Sequence, residues 1–274
     1  MTPSIAPVGH LIRQWRQRRR LSQMTLALDA GLSTRHLSFV ETGRSRPSAE
    51  VLMTLADQLD VPLRERNTML VAAGYAPRFT QHSLADPDMR LVQDALTRLL
   101  EAHMPYPGLA LDRHWNVVVA NAAAMALVDL LPAFLRTPAI NIYRASLHPE
   151  GLARYTRNLD EWARQLLGNL RRSIDSSADP ELIALETEVM AYPGIGEAVR
   201  RGSASSPRAL LVPCELDLPN ASLSLFTTLT SFGTPQDVTV QELCIEFFYP
   251  ADAQSEKILR ALGEASPAGA QLGQ

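Results

Sequence analysis

Two cysteines, a single lysine and 6% aromatic residues are what these 274 residues are short of. Cys214 and Cys244 stand apart, outside any CxxC or Cys/His cluster, so neither a structural zinc nor a disulfide framework is expected, and no metal or cofactor is implied. No apolar run is long enough to span a membrane and no apolar N-terminal core marks a signal peptide, so the expected location is cytoplasmic, with no membrane partner. Nucleophile-elbow, zinc-protease, phosphate-loop and dinucleotide-binding motifs are all missing, and an enzyme is not expected. The Gly-Ile-Gly at Gly194–Gly196 follows Tyr192-Pro193 and reads as a turn. His82, His103, His114 and His148 are scattered through loops and element ends; a haem site would require one of them inside an apolar pocket.

What is present divides unevenly. With 46% apolar residues the chain is long enough for two domains with real cores. Residues 1–80 hold 11 Arg against 6 acids, a balance of +5, while the remainder holds 15 basic residues against 23 acids, or −8. A basic module on an acidic body is the arrangement expected when only the first meets a polyanion. Arg16, Arg18, Arg19 and Arg20 add a local basic run, which a solvated helix end would also explain.

The stretch Gln23 to Val40 has the residue types of two helices joined by a tight turn. Leu26 and Ala30 are apolar on the first, Ala27 lets the second cross closely, Gly31 supplies φ > 0, and Leu32, Leu37 and Val40 line the second. An ordinary pair of core helices meets the same spacing. The flanks argue further: Ser22 and Ser33 can cap the two helices, Gly43 closes the second, and Pro47-Ser48 opens a helix carrying Val51, Leu52, Leu55, Ala56 and Leu59.

Together, LSQ, LSTRHLSFVETGRSRPS and LADQLDVP resemble the XRE (Cro/C1-type) helix-turn-helix regulators over residues 1–78. The resemblance implies an all-α domain with helices near Gly9–Arg19, Ser22–Ala30, Ser33–Thr42, Ala49–Leu59 and Leu63–Ala73. The mechanism expected with it is a dimer on a palindromic operator in double-stranded DNA. The N-terminal turn of the recognition helix then faces bases, which places Ser33, Thr34 and Arg35 nearest them. Arg35 is the expected reader, since a guanidinium fork matches guanine O6 and N7. Phe39, four residues on, either meets a thymine methyl or is a half-exposed core residue. Gln23, Arg44, Arg46 and Ser48 fit phosphate contacts, or a solvated surface, and His36 a backbone contact or polar filler. Arg16 and Glu41 stand where this family forms an internal ion pair.

Residues 74–88 mix Pro, Gly and polar types with little periodicity, so a linker is expected at 79–88, a second domain over 89–264 and a flexible tail at 265–274. Asp88–Ala102 reads as an amphipathic helix able to carry a dimer seam. Leu109 to Asn121 reads as a hairpin, with Asn121 capping the following helix. Helices over Gly151–Ser173 and Pro180–Tyr192, then strands in ALLVPCELDL, ASLSLFTTLTSF and ELCIEFFYP, and a closing helix over Asp252–Leu262 complete the pattern. Two strands, helices, then three antiparallel strands is a PAS-like order, so the overall class is α+β with a five-stranded antiparallel sheet behind the all-α module.

The phrases HWNVVVANAAAMAL, FGTPQDVTVQEL and IEFFYPAD resemble the ligand-binding domain of MmyB-like bacterial regulators, over nearly all of residues 85–262. That resemblance implies a PAS-like fold, homodimerisation and a small hydrophobic ligand, fatty-acid-like molecules being one class open to the family; the expected function is a transcription regulator, taken as a repressor. Trp115, Val117, Val119, Leu223, Leu225, Ile245 and Phe247 on strands, with Met125, Tyr155 and Trp162 on covering helices, are the candidate ligand contacts. Each is equally a plain core residue, and a constitutive DNA-binding scaffold whose second domain only dimerises or recruits a partner would use them so.

Overall fold

A computed structural model describes residues 7–177, 179–201 and 210–265. Five helices open the chain: α1 (Val8–Arg18), α2 (Gln23–Asp29), α3 (Thr34–Glu41), α4 (Ala49–Gln58) and α5 (Leu63–Ala72). All five end alike. The residue after each C-cap has positive φ, at Arg20, Gly31, Gly43, Asp60 and Gly74. The next amide reaches back to the third-last helical carbonyl, as Leu32 N–H does to Ala27 O at 2.8 Å and Tyr75 N–H to Leu70 O at 2.8 Å. Ser22, Ser33 and Ser48 cap the N-termini of α2, α3 and α4. α1 crosses α3 closely at Gly9, where a Cβ would stand 2.3 Å from the Val40 carbonyl. Ile12, Trp15, Leu26, Leu37, Val40, Leu52, Leu55 and Leu59 close the core between them.

This first unit runs to Ser83 and takes in Thr234–Gln241 from far along the chain. Asn67 holds residues 78–79, its Oδ1 accepting from Arg78 and Phe79 N–H and its Nδ2 donating to Phe79 O. Val238 N–H donates to Thr80 O at 2.9 Å, and Asp237 accepts from His82 N–H and lies 2.9 Å from its Nδ1. Gln241 Oε1 accepts from the otherwise orphaned N–H of Leu63 at the start of α5, at 2.7 Å. Residues 79–83 are thus fastened, where the sequence reads as linker.

The second unit holds Leu84–Gly233 and the chain from Glu242 on. A 3₁₀ turn (Pro87–Met89) leads into α6 (Arg90–Ala102), followed by β1 (Gly108–Leu111) and β2 (Val117–Ala120). Then come α7 (Ala122–Val128), α8 (Ala133–Arg136), α9 (Ile142–Leu147), α10 (Leu159–Ser177), α11 (Pro180–Met190) and α12 (Ile195–Arg201). The chain closes with β3 (Cys214–Leu218), β4 (Ala221–Thr230), α13 (Val238–Glu242), β5 (Cys244–Pro250) and α14 (Ala253–Ala265). The strands form one antiparallel sheet in the order β2-β1-β5-β4-β3.

Two expectations differ. The helix read over Gly151–Ser173 is a 3₁₀ turn (Leu152–Tyr155) and α10, separated at residues 156–158, where the Thr156 hydroxyl and Asn158 amide turn to backbone carbonyls. Gly194 turns as expected, at φ 82°, but Ile195 and Gly196 already belong to α12, and α8, α9 and α13 are too short to show a period. Of the expected tail, residues 266–274 lie outside the described residues.

Asn121 organises the start of the sheet. It caps α7 by accepting from Ala124 N–H, accepts from Gly108 N–H, and donates to the carbonyls of Leu100 and Tyr106. Both sheet faces are covered: Leu109, Leu111, Leu216, Leu223 and Leu225 pack under α7 and α9–α11, while Ala110, Ile245 and Phe247 pack with Leu96 and Leu100 of α6. No helix among the described residues is long and apolar enough to cross a membrane.

Candidate nucleic-acid interface and ligand cavity

On the first unit, Ser33, Thr34 and Arg35 lie exposed at the N-terminal turn of α3, with His36 half-buried beside them. The Ser33 hydroxyl accepts from His36 N–H at 3.1 Å, so its cap role is engaged. The Arg35 guanidinium lies 5.3 Å from the ring centre of half-buried Phe39, a cation–π geometry that holds the fork at the helix surface. Phe39 therefore supports Arg35 through its ring face, a third role beside those its position first offered.

Arg44 and Ser48 are exposed around the loop that follows α3. Arg46 stacks on Tyr75 at 4.8 Å and donates to Gly74 O. Gln23 is turned inward: its Nε2 donates to Glu41 Oε2 at 2.7 Å, because Glu41 is buried and needs every donor in reach. Arg16 completes the arrangement, Nε and Nη2 donating to the two Glu41 oxygens at 2.6 and 2.8 Å. Burial pushes the Glu41 carboxyl upward, but the bonds from Arg16 and Gln23 outweigh it and hold the group below its ordinary range. This closed triad fixes α3 on α1 and α2.

In the second unit a cavity of about 70 Å³ lies between the sheet and its covering helices. Of the ten candidate contacts, Val117, Trp162 and Leu225 line it. Leu223 instead borders an open apolar groove of about 660 Å³ between α7, the β3–β4 turn and α14. The others lie elsewhere for identifiable reasons. Ile245 and Phe247 face α6 because alternation along β5 sends Glu246 and Phe248 to the cavity. Val119 joins the same α6-side cluster. Trp115, at φ 67° in the β1–β2 turn, packs edge-on to Tyr143. Met125 packs among α8-side residues, and Tyr155 lies under the Arg154 guanidinium.

The sequence reading missed Glu246, the one carboxyl among the described residues of the cavity wall. An acid second in the apolar stretch IEFFYP is its only signal. Burial pushes this carboxyl up to about 7 against a single opposing hydrogen bond from Thr227. Burial, with Glu246 nearby, likewise pushes the Cys214 and Cys244 thiols up to about 12 and about 11, so neither offers a reactive thiolate. No histidine is among the residues that line the cavity, and no metal-holding cluster occurs among the described residues.

Residues 12–66 match the family model of a helix-turn-helix, and residues 92–262 match that of the MmyB-like transcription regulator ligand binding domain. Among curated proteins, none matches the chain.

Proposed function

The chain belongs to the MmyB-like transcription regulators, with a helix-turn-helix for DNA, and from that premise we propose a homodimeric repressor whose hold on a palindromic operator changes when a small apolar molecule enters its second domain. It acts in the cytoplasm on double-stranded DNA. Two recognition helices about 34–36 Å apart would meet successive major grooves. Arg35 reads a base, held by Phe39, with Ser33, Thr34 and His36 beside it. Arg44, Arg46, Ser48 and the N-terminus of α2 at Gln23 hold phosphates.

One observation carries the regulatory half. The connection between β4 and β5, two strands of the ligand sheet, leaves its own unit and contributes Thr234–Gln241 to the DNA-binding unit. A ligand that favours one arrangement of β5 over another thereby acts on a segment bonded to α5, and it shifts DNA binding only by its differential affinity for the two arrangements.

The cavity's size favours a second reading. About 70 Å³ is roughly half of the ~150 Å³ apolar cavity that takes benzene, so a long fatty-acid-like chain enters only if the walls move. Pro107 and Leu127 border both the cavity and the wider groove, which makes Leu127 the side chain to displace. Without such movement a long chain stays out, and toward that ligand class the protein is a constitutive scaffold.

Native mass spectrometry of the full chain, paired with operator footprints before and after removal of retained small molecules, separates the two readings. A retained apolar molecule whose removal alters the footprint supports regulation; an unaltered footprint supports the scaffold. In the same footprints Arg35→Ala weakens operator binding by about 1–3 kcal/mol and relaxes one base pair. Arg44→Ala weakens all sequences alike and flattens the salt dependence.

A further inference from the structure

Glu246 sits near the middle of β5, opposite Leu109 of β1 and Leu229 of β4, and is 4% exposed. Among the described residues its neighbours offer no cation. Tyr143, Cys214 and Cys244 face it as neutral groups, each made harder to ionise by the carboxylate. Among the described residues no Arg, Lys or His lines the cavity, whose other polar groups are those of Ser146, Thr156 and Cys214 and the indole N–H of Trp162. The Thr156 hydroxyl already donates to Leu152 O at 2.9 Å. An acid placed in such a wall weakens the fold, and beyond the Thr227 bond its carboxyl keeps acceptor capacity toward the cavity.

We propose that the cavity is a site for a compact apolar molecule whose one polar group donates a hydrogen bond, an aliphatic alcohol or amine, to the Glu246 carboxyl. The inference rests on reading this cavity as the ligand site and specifies the head group. A hydroxyl or ammonium gives the carboxylate the donor it lacks. A carboxylate ligand would set a second anion against Glu246 with no cation to offset either, so fatty-acid-like anions are rejected at this end. Size agrees: the volume suits about three or four heavy atoms where the benzene-binding cavity takes six.

The test uses the full chain with propan-1-ol, n-propylamine and propionate at pH 8, where Glu246 is largely ionised. Binding is followed by saturation-transfer NMR and by the rise in thermal midpoint. The alcohol and the amine bind at least about ten-fold more tightly than propionate, and Glu246→Gln, whose amide can donate to a carboxylate, shrinks that gap below about three-fold. Propionate binding as well as the alcohol overturns the head-group assignment while leaving a ligand cavity. Binding by none of the three overturns both. A ranking that Glu246→Gln leaves unmoved also overturns the assignment, and should that variant fail to fold, the wild-type ranking decides alone.

Discussion

Glu41 in the DNA-binding unit and Glu246 in the ligand unit are both buried, at 8% and 4% exposure, yet their carboxyls are driven in opposite directions. Glu41 has two donors from Arg16 and one from Gln23, so its charge is fully answered. Glu246 has one hydroxyl and an apolar wall. Both are withdrawn from solvent, Glu246 the more deeply, and their different company sets the direction. A satisfied buried charge is a structural fastening, whereas a carboxyl with one partner in a cavity wall is the group that the proposed ligand would complete.

Removing Glu41 makes the largest break in this comparison. Glu41→Ala strands the Arg16 guanidinium, 11% exposed along its side chain, and costs the first unit about 3–5 kcal/mol, read as a lower urea midpoint for its helical signal. Replacing both partners, Arg16→Met with Glu41→Leu, returns most of that loss, because no charge is then left alone. Since the folded carboxyl lies below its ordinary 4.5, the contribution of the pair is complete above that value and fades as pH falls through the folded one.

The second unit runs the other way. The folded carboxyl of Glu246 titrates near 7 rather than 4.5, so between those values the native state binds more protons than the unfolded one. Stability from this group is therefore complete below about 4.5 and is lost as pH rises through about 7, by about 3 kcal/mol at 1.36 kcal/mol per unit. Urea midpoints of the second unit, taken from pH 5 to pH 8, fall in the wild type and stay flat in Glu246→Gln. A flat wild-type profile means that the carboxyl is solvated or paired.

The same contrast governs what sequence alone reveals. In the first unit the decisive signals are local: Ser33 caps a helix three residues away, and Gly31 turns the chain within one step. Even there, Arg20 and Asp60 adopt positive φ without a glycine to announce it, and the inward turn of Gln23 depends on an acid 18 residues off. In the second unit Asn121 was legible as a cap, but its bonds to Leu100 and Gly108 were not. The choice of face on β5 failed for a physical reason. Both faces of the sheet are buried, so Ile245 and Phe247 look as suitable as Phe248, and only the covering helices decide which face holds the cavity.

The segment Thr234–Gln241 belongs to neither side of the comparison by sequence, since it lies between β4 and β5 yet completes the first unit. Gln241→Ala removes the acceptor of Leu63 N–H at the start of α5, a change worth about 0.5–1.5 kcal/mol in the stability of that unit. Operator affinity without ligand should hardly move, because Gln241 is remote in sequence from α3 and supports only α5. The response to ligand is the sharper measure: if β5 acts on the DNA-binding unit through this segment, loosening its grip on α5 reduces the ligand-induced change in operator affinity by a larger factor than it reduces the affinity itself. An undiminished ligand response in Gln241→Ala, with Leu63 N–H exchanging faster in the same sample, would show that the segment is fastened to α5 for stability alone and that coupling between the two units takes another route.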